Sequence, residues 1–317
     1  MQKALRILLI LALIFGAVSP LFPEETKTGY YVFMGQGPCI LYDQNNNLIF
    51  NGDAHSLEGK EIEVGQAIDT GANTNIILLH YPDLSRMTIG PNSSFKVQDA
   101  HSLWLSLGKI WVKITHLFSQ PEDFQVESPN AVAVAHGTEF LVEQSPMNGP
   151  SAIHVFEGTV DVGDGKNLPP VPLAQGHFVS NVKKGEILKP ETFNLSQIHD
   201  SWWKWNLAKE KKFSQFFQTH HDKIMELLRE KVNPAKTMFQ LRGIMRQHGF
   251  TRENFRRLYR QNSTSFDHEN YGKGRFHFKH PQRNNLNYPS SKPWTKKGSS
   301  QQQTERKKGE PHHRSQR

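Results

Sequence analysis

The sequence holds one cysteine in 317 residues, Cys39. An internal disulfide framework and a cysteine-ligated zinc site are therefore excluded. Only one long apolar run occurs, Ile7 to Val18, which excludes a polytopic membrane protein. Hydrophobic residues make up 36%, below the globular norm, so part of the chain builds no core. Catalytic fingerprints are missing as well. There is no Gly-x-Ser-x-Gly, no His-Glu-x-x-His, no phosphate loop and no dinucleotide fingerprint. The expectation is a protein that is not an enzyme and carries no cofactor. Cys39 lies between expected strands and reads as a small buried side chain. Carboxylates are scattered through the first half, so a catalytic pair stays open at this level. His220-His221 has no second ligand set at matching spacing and reads as a solvated helix face, so no metal site is expected.

What the chain does have is a divided charge. The net charge is +8. Residues 24–200 hold 10 Lys and Arg against 21 Asp and Glu, whereas residues 201–317 hold 26 against 9. An acidic block and a strongly basic block share one chain, which points to separate segments and an anionic partner for the basic one.

Residues 1–23 read as an address. Lys3 and Arg6 precede the apolar run, which is short for a bilayer span and of the right length for a secretory signal. Ala17 and Ser19 supply small residues for cleavage, although Pro20 disfavours a cut there. An exported protein of the periplasm or cell envelope is expected, with an uncleaved N-terminal membrane anchor as the alternative.

Residues 24–192 read as all-β. Tyr30–Met34, Ile40–Tyr42, Leu48–Phe50, Ile76–Leu79, Ser85–Ile89 and Phe95–Val97 are short apolar alternations broken by Gly, Pro, Asn and Asp. Leu103–Leu107 and Lys109–Ile114 alternate across Gly108. Phe124–Val126, Val132–Ala135 and Phe140–Glu143 continue the pattern. Asp43–Asn47 is expected to turn a hairpin, and Ile153–Phe156 is expected to pair with Thr159–Val162 around Glu157-Gly158.

Ordered motifs in this block resemble the FecR domain of the bacterial cell envelope. They are Leu57 to Ile62 and Val64 to Thr74 with Thr70-Gly71, then Met87 to Phe95 with Pro91-Asn92. Next come Phe124 to Val142 with Gly137-Thr138 and Phe140, and Ile153 to Val162 with Glu157-Gly158 and Val160. Leu173 to His177 closes the set, and the resemblance spans about 57–180. It implies a twisted, partly solenoid-like β structure. The motif residues read as structural: glycines at strand ends, prolines at turns, and Phe140, Val142, Val155 and Val160 facing inward. The sensor members of that family carry a cytoplasmic part that controls a sigma factor. Only Met1–Arg6 stand before the apolar run here, so such direct control is not expected.

Residues 193–262 switch to helical spacing. One helix is expected from Leu195 to Leu228, a second from the Asn233-Pro234 cap, and a third, short one after Thr251. Trp202, Trp203 and Trp205 are expected to pack the helices onto the β domain, with sugar stacking or a membrane interface as alternatives. Residues 263–317 contain a single aliphatic residue, Leu286, and read as a disordered basic tail. Its candidate contacts to anionic surfaces are Lys273, Arg275, Lys279, Arg283, Lys296, Lys297, Arg306, Lys307 and Lys308.

The functional expectation is an exported, non-catalytic binding or scaffold protein of the envelope. Its β module would touch an envelope protein or glycan, and its basic half an anionic lipid or polysaccharide. The alternatives are an envelope signal regulator acting through a partner protein and, less suited to export, a nucleic-acid binder.

Overall fold

The computed structural model describes residues 29–115, 123–164, 169–183, 189–229 and 233–262. The address at 1–23 and the tail at 263–317, with every candidate contact from Lys273 to Lys308, lie outside the described residues.

Among the described residues seventeen strands form two facing layers that share one strand. In the first layer the order is β4 (Glu61–Ile62), β1 (Gly29–Gln36), β6 (Asn75–Tyr81), β7 (Arg86–Ile89) and the second half of β9 (Ser102–Lys113). It continues through β12 (Glu139–Gln144), β13 (Ser151–Glu157), β16 (His177–Val182) and β17 (Glu191–Thr192). In the second layer the order is β3 (Leu48–Asp53), β2 (Pro38–Tyr42), β5 (Ala67–Thr70), β8 (Ser94–Asp99) and the first half of β9. It continues through β10 (Phe124–Glu127), β11 (Val132–Ala135), β14 (Thr159–Gly163) and β15 (Val171–Ala174). Among the described strands only the β9–β10 pair is parallel. Among the described strands neither layer closes on itself, and the mainly β architecture followed by helices is as expected.

The chain changes layer again and again, and glycines stand at the changes: Gly37, Gly71, Gly90, Gly108, Gly137, Gly158 and Gly176. Gly108 shows why. Its φ is +88°, and a Cβ there would lie 2.2 Å from Ser93 Oγ and 2.5 Å from Ser93 Cα. Only glycine lets β9 bend from one layer into the other at that point. Gly158, at φ +80°, corrects one expectation. Ile153–Phe156 and Thr159–Val162 are not a hairpin. β13 lies between β12 and β16, whereas β14 lies between β11 and β15. A single residue separates them, too few for a tight hairpin, so the chain turns a corner instead. The expected hairpin at Asp43–Asn47 is present, with Asp43 Oδ1 accepting from the amides of Asn45 and Asn47 at 2.8 Å.

Strand alternation sends one set of side chains between the layers. Val32, Ile76, Ile110, Phe140, Val142 and Val155 of the first layer meet Ile68, Phe95, Leu105, Val126 and Val160 of the second in one buried cluster. The other face of the first layer carries Tyr31, Phe33, Ile77, Trp111, Leu141 and Phe156, and a second apolar cluster joins these to the helices.

Four helices cover that face: α1 (Ser201–Thr219), α2 (His221–Arg229), α3 (Pro234–Gln247) and α4 (Arg252–Asn262). α1 starts later than its apolar spacing suggests. Leu195–Gln197 is a single 3-10 turn, and Asp200 caps α1 by accepting from the Trp203 amide at 2.9 Å. The expected single helix to Leu228 breaks at His220, whose ring and backbone amide both address the Phe216 carbonyl. Asn233 caps α3 with Pro234 in its first turn, and Thr251 Oγ1 accepts from the Asn254 amide at the start of α4. All described residues fall within one compact unit.

Two alanine substitutions separate corner glycines from incidental ones. Gly108→Ala should lower unfolding free energy by about 2 kcal/mol or more in urea titration. Gly243→Ala, inside α3 with nothing within 4 Å of its new Cβ, should raise it by about 0.5–1 kcal/mol.

Candidate functional site

The register of the first layer writes two rows beneath α1. The first runs Leu79, Arg86, Lys113, Glu139, Glu157 across β6, β7, β9, β12 and β13. The second runs Ile77, Thr88, Trp111, Leu141, His154. The first row is a charged ladder, two cations followed by two carboxylates, on a face that is otherwise largely apolar.

α1 completes the ladder from above. Its buried stripe is Trp202, Trp205, Lys209, Phe213 and Phe216, at helical spacing with a lysine at its centre. Arg86 Nε donates to Glu210 Oε2 at 2.6 Å, and Lys209 Nζ lies 2.8 Å from Glu210 Oε1 while also donating to Thr88 Oγ1. Arg86 sits 5.1 Å and 5.2 Å from the ring centres of Phe213 and Phe217, and Lys209 5.5 Å from that of Trp205. Trp111 Nε1 donates to Glu139 Oε1 at 3.0 Å, and Lys113 pairs with both Glu139 and Glu157.

Burial and mutual charge set the protonation of this group. Burial pushes Glu210 up, but Arg86 and Lys209 together hold its carboxyl below the usual range. Burial pulls the Lys209 ammonium down against the pull of Glu210. Glu139 is pushed up to about 7, by burial first and then by the nearby Glu210 charge. Arg86, Lys209, Glu210 and Glu139 are closed off by helix and rings and pair internally, while the ladder opens to solvent at Glu157.

The tryptophan cluster packs as expected. Trp202 Nε1 donates to Asn75 Oδ1 at 2.6 Å, Trp203 meets the His154 ring at 4.5 Å, and Trp205 Nε1 donates to the Phe255 carbonyl at 3.2 Å. His220 packs between Phe216 and His248, at 4.5 Å and 4.1 Å. Among the described residues no group of three or more metal-ligating side chains gathers. Cys39 is buried, which pushes its thiol up to about 12 and leaves little thiolate to act as a nucleophile.

A second charged group joins the layers at the other side. Glu58, 4% exposed, accepts from Arg242 and from Arg246 Nη2 at 3.0 Å, with Arg252 Nε 3.7 Å away and His55 Nδ1 at 3.1 Å. Glu58 also accepts from the Gly35 amide at 3.2 Å, and Arg242 Nε donates to the Phe33 carbonyl at 2.9 Å. This ties α3 and α4 to β1.

The motif residues gather into two corners. At one, Thr70 Oγ1 donates to the Gly90 carbonyl at 2.7 Å and accepts from the Ser93 amide at 2.8 Å. There Asn92, at φ +52°, donates its amide to the Gly71 carbonyl at 3.1 Å, so Thr70, Gly71, Pro91 and Asn92 form one clasp. At the other, a Cβ on Gly158 would come within 2.8 Å of Thr138 Cγ2 and 3.2 Å of the Gly137 carbonyl oxygen. Phe140 and Val160 point into the core beside it, while Glu157 ends the charged ladder.

Residues 66–161 match the FecR protein family. That stretch is similar to a FecR domain. The matched stretch is shorter than the 57–180 expected from motifs and covers β5 to most of β14. β1–β4 and β15–β17 extend both layers beyond it. No curated protein matches the chain. Two crystal structures of a protein described as a "putative anti-sigma factor" from Parabacteroides distasonis ATCC 8503, at 1.65 Å and 2.50 Å resolution, align at 12% identity and TM-score 0.36. Each alignment covers 44% of this chain and 64% of that one, under two thirds of its length.

Arg86, Lys209, Glu210 and the Glu58 arginines are the residues that sequence reading missed. Lys209 leaves a signal, because it occupies the place where the α1 stripe calls for an apolar residue. Nothing in the sequence marks Arg86 as its neighbour, since that depends on register.

The raised Glu139 carboxyl gives a pH test. From pH about 4.5 to 7 the unfolded chain releases this proton while the folded chain keeps it, so folding weakens as pH rises. Glu139→Gln removes the effect. Urea titrations at pH 5 and pH 8 should show wild type losing stability relative to the variant at the higher pH.

Proposed function

We propose that the protein is a non-catalytic signal regulator of the bacterial envelope that acts through a partner protein. The observation that carries this reading is the FecR domain at 66–161. Its support is the use of charge in this molecule: the buried ionisable groups of the ladder are spent on holding helices to the sheet. Export through residues 1–23 belongs to the same reading. Partner contact then falls to the uncovered part of the β module. There the terminal strand β3 presents Leu48 and Ile49 at 60% and 50% exposure and pairs with β2 alone among the described strands. A terminal strand of this kind accepts an added strand.

A second reading, an envelope scaffold that holds glycan or anionic surfaces, rests on the basic helices. Residues 201–262 hold 14 Lys and Arg against 5 Asp and Glu.

Cross-linking in intact cells followed by capture of the full chain separates the two. The regulatory reading predicts an inner-membrane signalling protein that is lost on Leu48→Asp with Ile49→Asp. Recovery of cell-wall glycan with no such protein would replace it by the scaffold reading.

A further inference from the structure

The Glu58 group borders a cavity of about 290 Å³ whose walls include Phe33, Phe250, Glu253 and the arginines 242, 246 and 252. As a mere link between layers it is over-supplied with cations. Three guanidiniums and a nearby imidazole face Glu58, and Glu253 is the other carboxylate of the wall. Each guanidinium has about five N–H donors. The contacts made use few of them: Arg242 to Glu58 and to the Phe33 carbonyl, Arg246 to Glu58, and Arg252 to His55 Nε2 at 3.0 Å. Neighbouring arginines and burial pull Arg242 below its ordinary value, burial being the larger cause. The three differ in exposure. Arg242 is 11% exposed and held by Glu58 and the Phe33 carbonyl, whereas Arg252 and Arg246 are 36% and 50% exposed and so are the ones open to solvent. The first turn of α4 begins at the same wall and adds the positive end of its dipole.

We propose that this cleft binds a phosphate group, with Arg246 and Arg252 gripping it from the opening and Arg242, held by Glu58, behind them. Guanidinium forks match oxyanions in bidentate fashion. A carboxylate has two oxygens and satisfies one fork. A phosphate offers three or more and satisfies two or three, which fits the number present. The site does not depend on the regulatory reading above. Its residues lie on β1, on the segment before β4 and on α3 and α4, outside the stretch matched by the family. The phosphate can belong to a lipid headgroup or to a soluble compound, since the recognising chemistry is shared.

Calorimetric titration of the full chain with inorganic phosphate, at low ionic strength, tests the site. The expected result is saturable binding with Kd on the order of 1 mM. Arg246→Gln and Arg252→Gln should each weaken it by about tenfold or more. Lys236→Gln, which removes an exposed charge from α3 away from the cleft, should leave it within about twofold. Thermal unfolding monitors the fold, and the half-exposed Arg246 decides alone if Arg252→Gln does not fold. Absence of saturable binding, or equal binding by all three variants, would overturn the proposal. Phosphatidylglycerol vesicles form the second arm. Binding that falls with Arg246→Gln assigns the phosphate to lipid, and phosphate binding without vesicle binding assigns it to a soluble ligand.

Discussion

The contact between Arg86 and Glu210 decides how the two parts of this chain sit together. It joins a strand of the first layer to α1 across 124 positions of sequence, at 2.6 Å and nearly out of reach of water. An apolar face alone would accept a helix at several rotations and offsets. A buried guanidinium accepts only the position that supplies its carboxylate, because the unpaired charge is far costlier than a shifted methyl group. Lys209 and Thr88 repeat the constraint one position along, and the Glu58 arginines repeat it at the far end of the helical layer. α1 carries the first of these anchors, and the rings of Trp202, Trp205 and Phe213 pack in the arrangement it permits. Fold specificity is the role we assign to these charges. Net stability comes from the two apolar clusters.

Charge along the sequence takes on a different meaning in this light. The acidic and basic blocks are not independent bodies over the described residues. The basic helices lie on the acidic β module through an apolar interface, and a few placed ion pairs cross it. Around Glu58 the arginines of α3 and α4 outnumber the one carboxylate they anchor, and the proposed phosphate cleft draws on this excess.

Much of the fold was legible before the structure. Short apolar runs broken by turn residues located most strands from Tyr30 to Val162, but not β4 or β5, which no expected strand covers. The Asn233-Pro234 start of α3 was legible from capping chemistry. Which strands pair was not. Ile153–Phe156 and Thr159–Val162 look like a hairpin locally, and only their different partners, β12 and β14's neighbour β11, reveal the corner at Gly158. The ladder was hidden for the same reason. Arg86, Lys113, Glu139 and Glu157 become neighbours through register, which no single segment encodes. The start of α1 was misread because Leu195 and Ile198 continue the helical spacing, while the Asp200 cap outweighs it.

A double-mutant cycle on Arg86 and Glu210 tests the central claim most directly. Arg86→Met, Glu210→Met and the double variant are unfolded in urea at pH 7, with tryptophan fluorescence reporting on α1. The account predicts that each single variant loses about 3–5 kcal/mol and that the double variant loses less than their sum by about 1.5 kcal/mol or more. Losses that add within about 0.5 kcal/mol would contradict it, since the two charges would then not be acting on each other.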